Sequence, residues 1–276
     1  MIVVTGATGN VGGEVVAALA GREEGVRALA RDPAGAALPG GVDVVQGDLE
    51  LPESLTPALD GARAVFLLGG WGDMPGLLRR FGRAGIEHVV LLTSRCVVGG
   101  MADNAITRMW LDSEAAVRDS GMAWTILRPS GYHANALRWR AQLRHGDIVR
   151  APWPDIAVAA IDPADIAAVA AVVLTGLGHE GAAYSLSGPE PLTPGDQVAT
   201  LAAVLGRPLR YEPLSDEQAR AEMAPDTPAP YIDAFFRFYS GGEFDDSAVL
   251  DTVAQMTGRP PGSFAQWARA HADAFA

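Results

Sequence analysis

The sequence predicts an α/β protein with a doubly wound parallel sheet and a smaller C-terminal α/β region. Over the first half of the chain, short apolar runs alternate with segments of helical periodicity. These runs are apolar throughout rather than at every second residue, which is typical of strands covered by helices on both faces of a sheet. We therefore expect ligands to bind beyond the carboxyl ends of the strands.

The first predicted strand, Ile2 to Val4, leads directly into a glycine turn and then into a helix. Gly6 permits a tight turn, Gly9 permits a phosphate to approach the backbone, and Gly12 permits close packing of helix on strand. The spacing G-x-x-G-x-x-G differs from the commoner G-x-G-x-x-G, and a plain structural turn is the alternative. The strand, turn and helix order favours a pyrophosphate site at the helix start, formed by Gly6, Thr8, Gly9, Asn10, Val11 and Gly12.

The second predicted strand, Gly25 to Ala30, ends at Arg31-Asp32-Pro33, about twenty residues beyond the glycine turn, where such folds contact the adenosine ribose. An acidic residue there accepts hydrogen bonds from the ribose of NAD, whereas an arginine pairs with the extra phosphate of NADP. Both readings remain open, as does that of two solvated loop charges. We favour Arg31 and NADP, because a guanidinium can bind a phosphate through two hydrogen bonds.

Four more strands follow in the first half, separated by helices, and their carboxyl ends supply the other candidate ligand contacts. The predicted strands are Val42 to Gln46, Ala64 to Leu68, His88 to Thr93 and Trp124 to Leu127. The predicted helices are Glu53 to Leu59, Asp73 to Ala84 and Ile106 to Asp119. Beyond the strands lie Asp48, Leu68 to Gly70, Thr93 to Arg95 and Arg128 to Tyr132.

Beyond Pro129 the pattern is less regular, and we assign residues 1–150 to a dinucleotide-binding domain and 151–276 to a smaller substrate-binding region that partly packs back on the sheet. We expect strands at Ala157 to Ile161 and Ala183 to Leu186. The predicted helices are Tyr132 to Arg144, Ile166 to Leu174, Thr193 to Gly206 and Phe264 to Phe275. The segment from Pro213 to Pro230 is rich in proline and acidic residues, which favours a mobile lid or connector.

Composition excludes several classes of function. A formal net charge of -12 argues against direct nucleic-acid binding. No apolar span approaches the ~20 residues of a transmembrane helix, and we predict no secretory signal sequence. The single cysteine, Cys96, permits neither an internal disulfide nor a thiolate metal cluster, so we predict no metal site and a reducing, cytoplasmic setting. All 21 basic residues counted as Lys and Arg are arginine, which excludes lysine-dependent chemistry.

Seven motifs together resemble the NmrA-like group of atypical short-chain dehydrogenases/reductases, and they span essentially the whole chain. They are residues 4–12, 26–33, Gly47-Asp48-Leu49, Glu114 to Gly121, Trp124 to Pro129, Asp162 to Ala167, and Tyr184 to Pro189. The resemblance implies an NADP-preferring Rossmann domain with a small C-terminal substrate domain. Members of the group include quinone and azo-compound reductases, reductases of aromatic natural products, and redox-sensing regulators without enzymatic activity.

The resemblance also implies a role for individual residues. Arg31 would meet the ribose phosphate, Asp48 would lie by the adenine, and Leu49 would be a further cofactor contact. The segments that flank the nicotinamide would be Leu68, Gly69 and Gly70 and the stretch from Pro129 to Tyr132, and Thr93 would be a further cofactor contact.

The sequence departs from the wider superfamily at the Tyr-x-x-x-Lys pair that supplies and orients the proton. By family spacing those two places are held by Ile106 and Trp110, and no lysine exists elsewhere. A quinone-like substrate could take its proton from solvent, since its own aromatic system stabilises the product anion. Alternatively a polar side chain or a substrate hydroxyl donates it, and the candidate catalytic side chains are Ser94, Tyr132 and His133.

We therefore predict an NADPH-dependent reductase of a ketone or quinone on a flat aromatic or polyketide-like small molecule. The alternative is a non-enzymatic regulator that senses NADP(H) and binds a protein partner. We expect a monomer or homodimer that contacts neither nucleic acid nor membrane.

Overall fold

A computed structural model describes residues 1–22 and 24–275, and its main body is a seven-stranded sheet. The strands of the chain are β1 (Ile2–Val4), β2 (Val26–Ala30), β3 (Asp43–Gln46), β4 (Ala64–Leu68), β5 (His88–Leu92), β6 (Ala123–Pro129), β7 (Ile148–Ala151), β8 (Ala182–Leu186) and β9 (Arg210–Pro213). The main sheet has the order β3-β2-β1-β4-β5-β6-β8, and every neighbouring pair is parallel. The predicted doubly wound fold is confirmed, with the chain order reversing between β1 and β4.

Helices cover both faces of this sheet. The α-helices are α1 (Asn10–Ala20), α2 (Thr56–Leu59), α3 (Met74–Arg83), α4 (Ala105–Arg118), α5 (Arg140–Leu143), α6 (Pro163–Thr175), α7 (Pro194–Leu205), α8 (Asp216–Met223), α9 (Ala229–Phe238), α10 (Thr252–Thr257) and α11 (Phe264–Ala270). Residues of α1, α6 and α10 share one apolar core with the sheet, and residues of α2, α3 and α4 share the core on the other face. Burial on both faces explains why the strands are apolar throughout.

The part of the chain after residue 150 contributes to both the sheet and a separate core. Helix α6 and strand β8 complete the main sheet and its covering layer. The short parallel pair β7–β9 packs with α7, α11 and a 3₁₀ segment, His133–Trp139, around the buried rings of Trp139 and Trp267. This second core lies beside the carboxyl ends of β5 and β6, because the 3₁₀ segment follows β6 almost directly.

One expectation for this region is wrong. The stretch from Ala157 to Ile161 forms only single bridges, because its backbone amides bond to three different segments: Val158 to Leu192, Ala159 to Asp246, and Ile161 to Gly131. No continuous ladder results.

The segment from Pro213 to Pro230, expected to be a mobile lid or connector, contains helix α8. Ser215 and Gln218 form a reciprocal capping box at the start of α8, a signal that the proline-rich composition obscured. Helix α9 then begins at Ala229. In the described part of the chain, no helix is both long enough and apolar enough to span a membrane.

Candidate active site

The glycine turn after β1 has the geometry of an anion cradle. Gly6 adopts a left-handed conformation with φ of 61°, and Gly9 immediately precedes α1 without a side chain that could cap it. A Cβ atom on Gly12 would lie 2.1 Å from the carbonyl oxygen of Gly6. Only glycine therefore lets the helix start so close to the turn, where its first amides lack a side-chain partner. The residues present fit a dinucleotide pyrophosphate.

The other predicted members of the turn contribute in different ways. Thr8, Gly9 and Asn10 line a surface cavity of about 300 Å³. The side chain of Val11 is buried in the core of the main sheet, so only its backbone amide could contact a ligand.

The two charges beyond β2 have different surroundings. Asp32 accepts a hydrogen bond from the amide of Ala34 at 3.1 Å, which closes the turn that follows the strand. The exposed guanidinium of Arg31 forms no hydrogen bond or ion pair with the described residues. Arg31 thus remains available to a ligand, whereas the carboxylate of Asp32 already has a structural partner. Asp48 likewise accepts from the amide of Glu50 at 3.0 Å, and Leu49 is buried.

Gly69 and Gly70 follow β4, and helix α4 accounts for the need for glycine at both positions. A Cβ atom on Gly69 would lie 3.2 Å from the Trp110 ring. Gly70 has φ of 92°, and its amide donates to Ser113 Oγ at 3.0 Å. Leu68 accepts a 2.7 Å hydrogen bond at its carbonyl from the indole of Trp71. This loop is therefore fixed against α4.

Helix α4 is held to the strand ends by a buried carboxylate, Glu114. Arg128 donates to both of its oxygens at 2.8 and 2.6 Å, and Arg118 donates to Oε2 at 2.8 Å. The hydroxyl of Thr93 donates to Oε1 at 3.0 Å. Burial opposes ionisation, but these hydrogen bonds and the Arg128 charge outweigh it and lower the pKa of Glu114. The network fixes the ends of β5 and β6, where the predicted cofactor contacts lie.

A cleft of about 460 Å³, the reaction cleft, opens beyond β5 and β6. Its lining consists of Thr93, Ser94, Cys96, Ile106, Met109, Trp110, Pro129, Ser130, Gly131, Tyr132, Asn135, Thr227, Tyr231, Phe235, Phe238, Tyr239, Phe244 and Asp246. The strand ends form one side, α4 forms a second, and the aromatic face of α9 forms a third. Of the predicted site residues, Thr93, Ser94, Pro129 and Tyr132 are brought together here.

The two places assigned to the missing Tyr/Lys pair, Ile106 and Trp110, both line the reaction cleft. They form an apolar wall where a proton donor would stand. The Ser94 hydroxyl accepts from the amide of Cys96 at 3.4 Å. The Tyr132 hydroxyl has no hydrogen-bond partner among the described residues, and burial raises its pKa well above the ordinary value.

His133 does not line the reaction cleft. Its imidazole is buried against Phe264 and Trp267, with ring centroids 5.4 and 6.2 Å away. Burial lowers the pKa of His133 to about 4, so the ring is neutral near neutral pH. Its position places it in the second core rather than beside a substrate.

Sequence reasoning missed two contributors to the reaction cleft. Helix α9 presents Tyr231, Phe235 and Tyr239 at intervals of four residues, a one-face pattern visible in the sequence. The second is Asp246, which accepts from the amide of Gly131 at 2.9 Å. No local motif marked Asp246, because its partners are far away in the chain.

Asp246 ties the segment after α9 to the strand ends. Its Oδ1 lies 3.2 Å from Nε of Arg95 without the alignment of a hydrogen bond. Arg95 also donates to the carbonyls of Ala248 and Asp245 at 2.8 and 3.1 Å. Burial raises the pKa of Asp246 to about 6, although Gly131 and Arg95 oppose this shift. These contacts keep the aromatic face of α9 over the reaction cleft.

Comparison with known proteins shows which family this chain resembles. Residues 6–176 match the family profile described as NAD(P)H-binding. Over its full length the chain is 43% identical to the (4-alkanoyl-5-oxo-2,5-dihydrofuran-3-yl)methyl phosphate reductase of Streptomyces griseus, covering 99% of that protein. It is 37% identical to the NAD(P)H azoreductase of Xenophilus azovorans, with 100% and 99% of the two chains covered.

Among solved structures, the chain resembles the NADPH-dependent quinone oxidoreductase of Escherichia coli in complex with NADPH. The TM-score is 0.78 at 27% identity, and 99% of this chain and 100% of that chain are covered. The prediction of an NAD(P)H-dependent reductase is confirmed. The chain belongs to the NAD(P)H-binding family and, within it, to the NmrA-like atypical short-chain dehydrogenases/reductases.

Proposed function

We propose that the protein uses NADPH to reduce a quinone or a conjugated ketone on a flat small molecule, and that solvent protonates the product. The observation that carries this proposal is the apolar wall of Ile106 and Trp110, where the superfamily's proton donor would stand. A bound NADPH supplies the hydride. The chain's own residues bind and orient the acceptor and exclude water from it.

The chemistry of the reaction cleft favours acceptors whose hydride adduct is a stable anion. Hydride transfer converts a quinone into a phenolate and a conjugated ketone into an enolate. Both anions are delocalised, so neither needs a proton in the transition state. An isolated ketone becomes an alkoxide, which is far more basic and needs an acid at once. Burial raises the pKa of both Tyr132 and Tyr239, so these hydroxyls are poor acids. They remain suited to donate a hydrogen bond to a carbonyl oxygen.

The shape and composition of the reaction cleft support a flat, largely apolar ligand. Trp110 on α4 and the aromatic face of α9 border it from two sides. Aromatic walls favour a conjugated ring because stacking adds to the burial of its surface.

The named substrates of the relatives agree with this chemical class. The Streptomyces griseus relative acts on an acylated dihydrofuranone, and the two others are an azoreductase and a quinone oxidoreductase. The preference for NADPH over NADH rests on Arg31, whose guanidinium is exposed beyond β2 and lacks a partner in the described chain.

The test is NADPH oxidation with a panel of acceptors. We expect turnover of a naphthoquinone, an acyl-dihydrofuranone and an azo dye, and no turnover of an isolated cyclic ketone. Tyr132→Phe should lower kcat for the quinone by less than about tenfold, the loss typical of one hydrogen bond rather than of an acid catalyst. Equal turnover of the isolated ketone, or no turnover at all with NADPH binding intact, would overturn the proposal.

A further inference from the structure

A second cavity of about 270 Å³ adjoins the reaction cleft. The two share Gly131, Tyr132, Asn135, Phe235 and Tyr239 as a common border. A ligand whose ring occupies the reaction cleft can therefore extend a substituent into this second cavity, here called the side chamber.

Arg138 is the charged residue among those that line the side chamber, and no carboxylate lies among them. Its guanidinium forms no ion pair or hydrogen bond with any described residue. By contrast, the arginines that follow Ser94 and precede Pro129 are both paired, Arg95 with Asp246 and Arg128 with Glu114. Arg138 is thus a positive charge at the cleft without a protein counterion.

The Arg138 side chain is exposed to water and is therefore open to an anion that enters the side chamber. Water can reach the side chain, yet enough protein surrounds it that desolvation lowers the pKa of the guanidinium. A partly desolvated charge gains most from an opposite charge held at hydrogen-bond distance. The chain as a whole carries a net charge of -12, so attraction of an anion to this place depends on the local arginine.

Neutral donors accompany the guanidinium. The side-chain amides of Asn135 and Gln197 and the hydroxyl of Tyr239 line the side chamber without a partner in the described chain. Tyr239 is near enough to Arg138 for the guanidinium charge to lower the tyrosine's pKa, against the larger opposing effect of burial.

The walls that hold these groups are well anchored. Trp153 has φ of 59°, a left-handed conformation that is costly for a bulky residue. Its ring centroid lies 4.6 Å from that of Tyr239, and its indole nitrogen donates to Ser240 at 3.0 Å. Much of the remaining lining is apolar, including Pro152, Ile156, Val158, Leu192 and Met223.

We propose that the side chamber is an anion subsite, in which Arg138 binds a phosphate or carboxylate group carried by the substrate. This assignment rests on the proposed function, because it concerns a substituent of the molecule reduced in the reaction cleft. A guanidinium can bind either oxyanion through two hydrogen bonds, and the neutral donors can bind a further oxygen.

The test uses two pairs of acceptors, each with one anionic and one neutral member on the same ring system. One pair is an acyl-dihydrofuranone with a phosphomethyl or a hydroxymethyl group, and the other is a naphthoquinone with a propanoate side chain or its methyl ester. We expect the wild type to prefer the anionic member of at least one pair, and the favoured pair identifies the anion. Arg138→Met keeps most of the aliphatic stem and should lower the anionic-to-neutral ratio of kcat/KM by about 10- to 100-fold, the range for a hydrogen bond to a charged group.

Two further variants sharpen the result. Arg140→Met removes the same charge two residues away, from a side chain that does not line either cavity, and should leave the ratio unchanged. Arg138→Lys should retain part of the preference for the anionic acceptor, since lysine keeps the positive charge but lacks the planar guanidinium that forms two parallel hydrogen bonds. An unchanged ratio in Arg138→Met, or an equal change in Arg140→Met, would overturn the subsite.

If neither member of either pair is reduced, the proposed function fails, and the subsite is then tested by binding. Titration calorimetry of the phosphomethyl compound should give a Kd that Arg138→Met weakens at least about tenfold and Arg140→Met does not. Equal Kd values in the wild type and Arg138→Met would overturn the subsite on its own.

Discussion

Replacement of neighbouring glycines in α1 by alanine should have opposite effects, because only one of the two supports the anion cradle. A Cβ atom on Gly12 would lie 2.1 Å from the oxygen and 2.6 Å from the carbonyl carbon of Gly6. These are backbone atoms of the turn and cannot rotate away. On Gly13 the new Cβ atom would lie 3.4 Å from the Ala7 oxygen, an ordinary contact.

The magnitudes follow from these distances. Gly12→Ala must move the helix start by about 1 Å, and overpacking of this kind costs about 3 kcal/mol when backbone has to shift. Gly13→Ala gains up to about 1 kcal/mol, the helix propensity of alanine over glycine. In a chain of this size these values correspond to a loss in Tm of about 6–12 °C and a gain of about 2–4 °C.

The assay measures Tm and the Kd for NADPH in both variants. We expect Gly12→Ala to raise the Kd for NADPH at least about tenfold. The backbone amides of the glycine turn and of the first turn of α1 would no longer converge on the pyrophosphate. Gly13→Ala should bind NADPH within about threefold of the wild type. Wild-type NADPH affinity in Gly12→Ala would refute the assignment of this turn to the pyrophosphate.

Three more predictions address single side chains. Arg31→Ala should weaken NADPH at least about tenfold more than NADH, since it removes only the partner of the extra phosphate; equal losses for both coenzymes in calorimetric titrations would remove Arg31 from this role. Glu114→Gln should lower the free energy of unfolding by about 3 kcal/mol near neutral pH, because it leaves Arg128 without its buried counterion. The pKa of Glu114 is lowered in the folded protein, so this difference should shrink as the pH falls through that lowered pKa, and a difference in urea unfolding that is constant with pH would contradict it. His133→Phe should keep kcat within about threefold of the wild type, and a collapse of kcat would instead make His133 catalytic. In the wild type, stability should fall as the pH drops from 6.5 to about 4, because the unfolded chain binds a proton at His133 and the buried ring does not. The variant should lack this loss of stability.

Much of the sheet could be predicted because its signals are local. The apolar runs of β1, β2, β4, β5 and β6 place buried residues on both faces of the sheet, so period and composition suffice to find them, and the glycine turn follows β1 directly. Helix α7 was equally accessible, since Thr193 and Asp196 form its capping box and Gly206 ends it in a left-handed conformation.

The side of the reaction cleft formed by α9 and the segment after it could not be predicted in the same way, because its contacts are long-range. Asp246 meets Gly131 and Arg95 through a fold in which the sheet already exists. The same holds for Arg138, whose position on a 3₁₀ segment after β6 gives no regular period to follow. His133 was a reasonable candidate from its neighbour Tyr132, but adjacent residues of the segment point to different cavities and cores.

The central claim is that the chain supplies no proton in the step that reduces the substrate, and isotope effects test it most directly. The measurement is the single-turnover rate of naphthoquinone reduction with NADPH deuterated at the transferred position, in H₂O and in D₂O. We predict a primary isotope effect from the labelled coenzyme and no solvent isotope effect on the same step. A solvent isotope effect on this rate, in addition to the isotope effect of the labelled coenzyme, would show that a proton moves in the same transition state and would contradict the account.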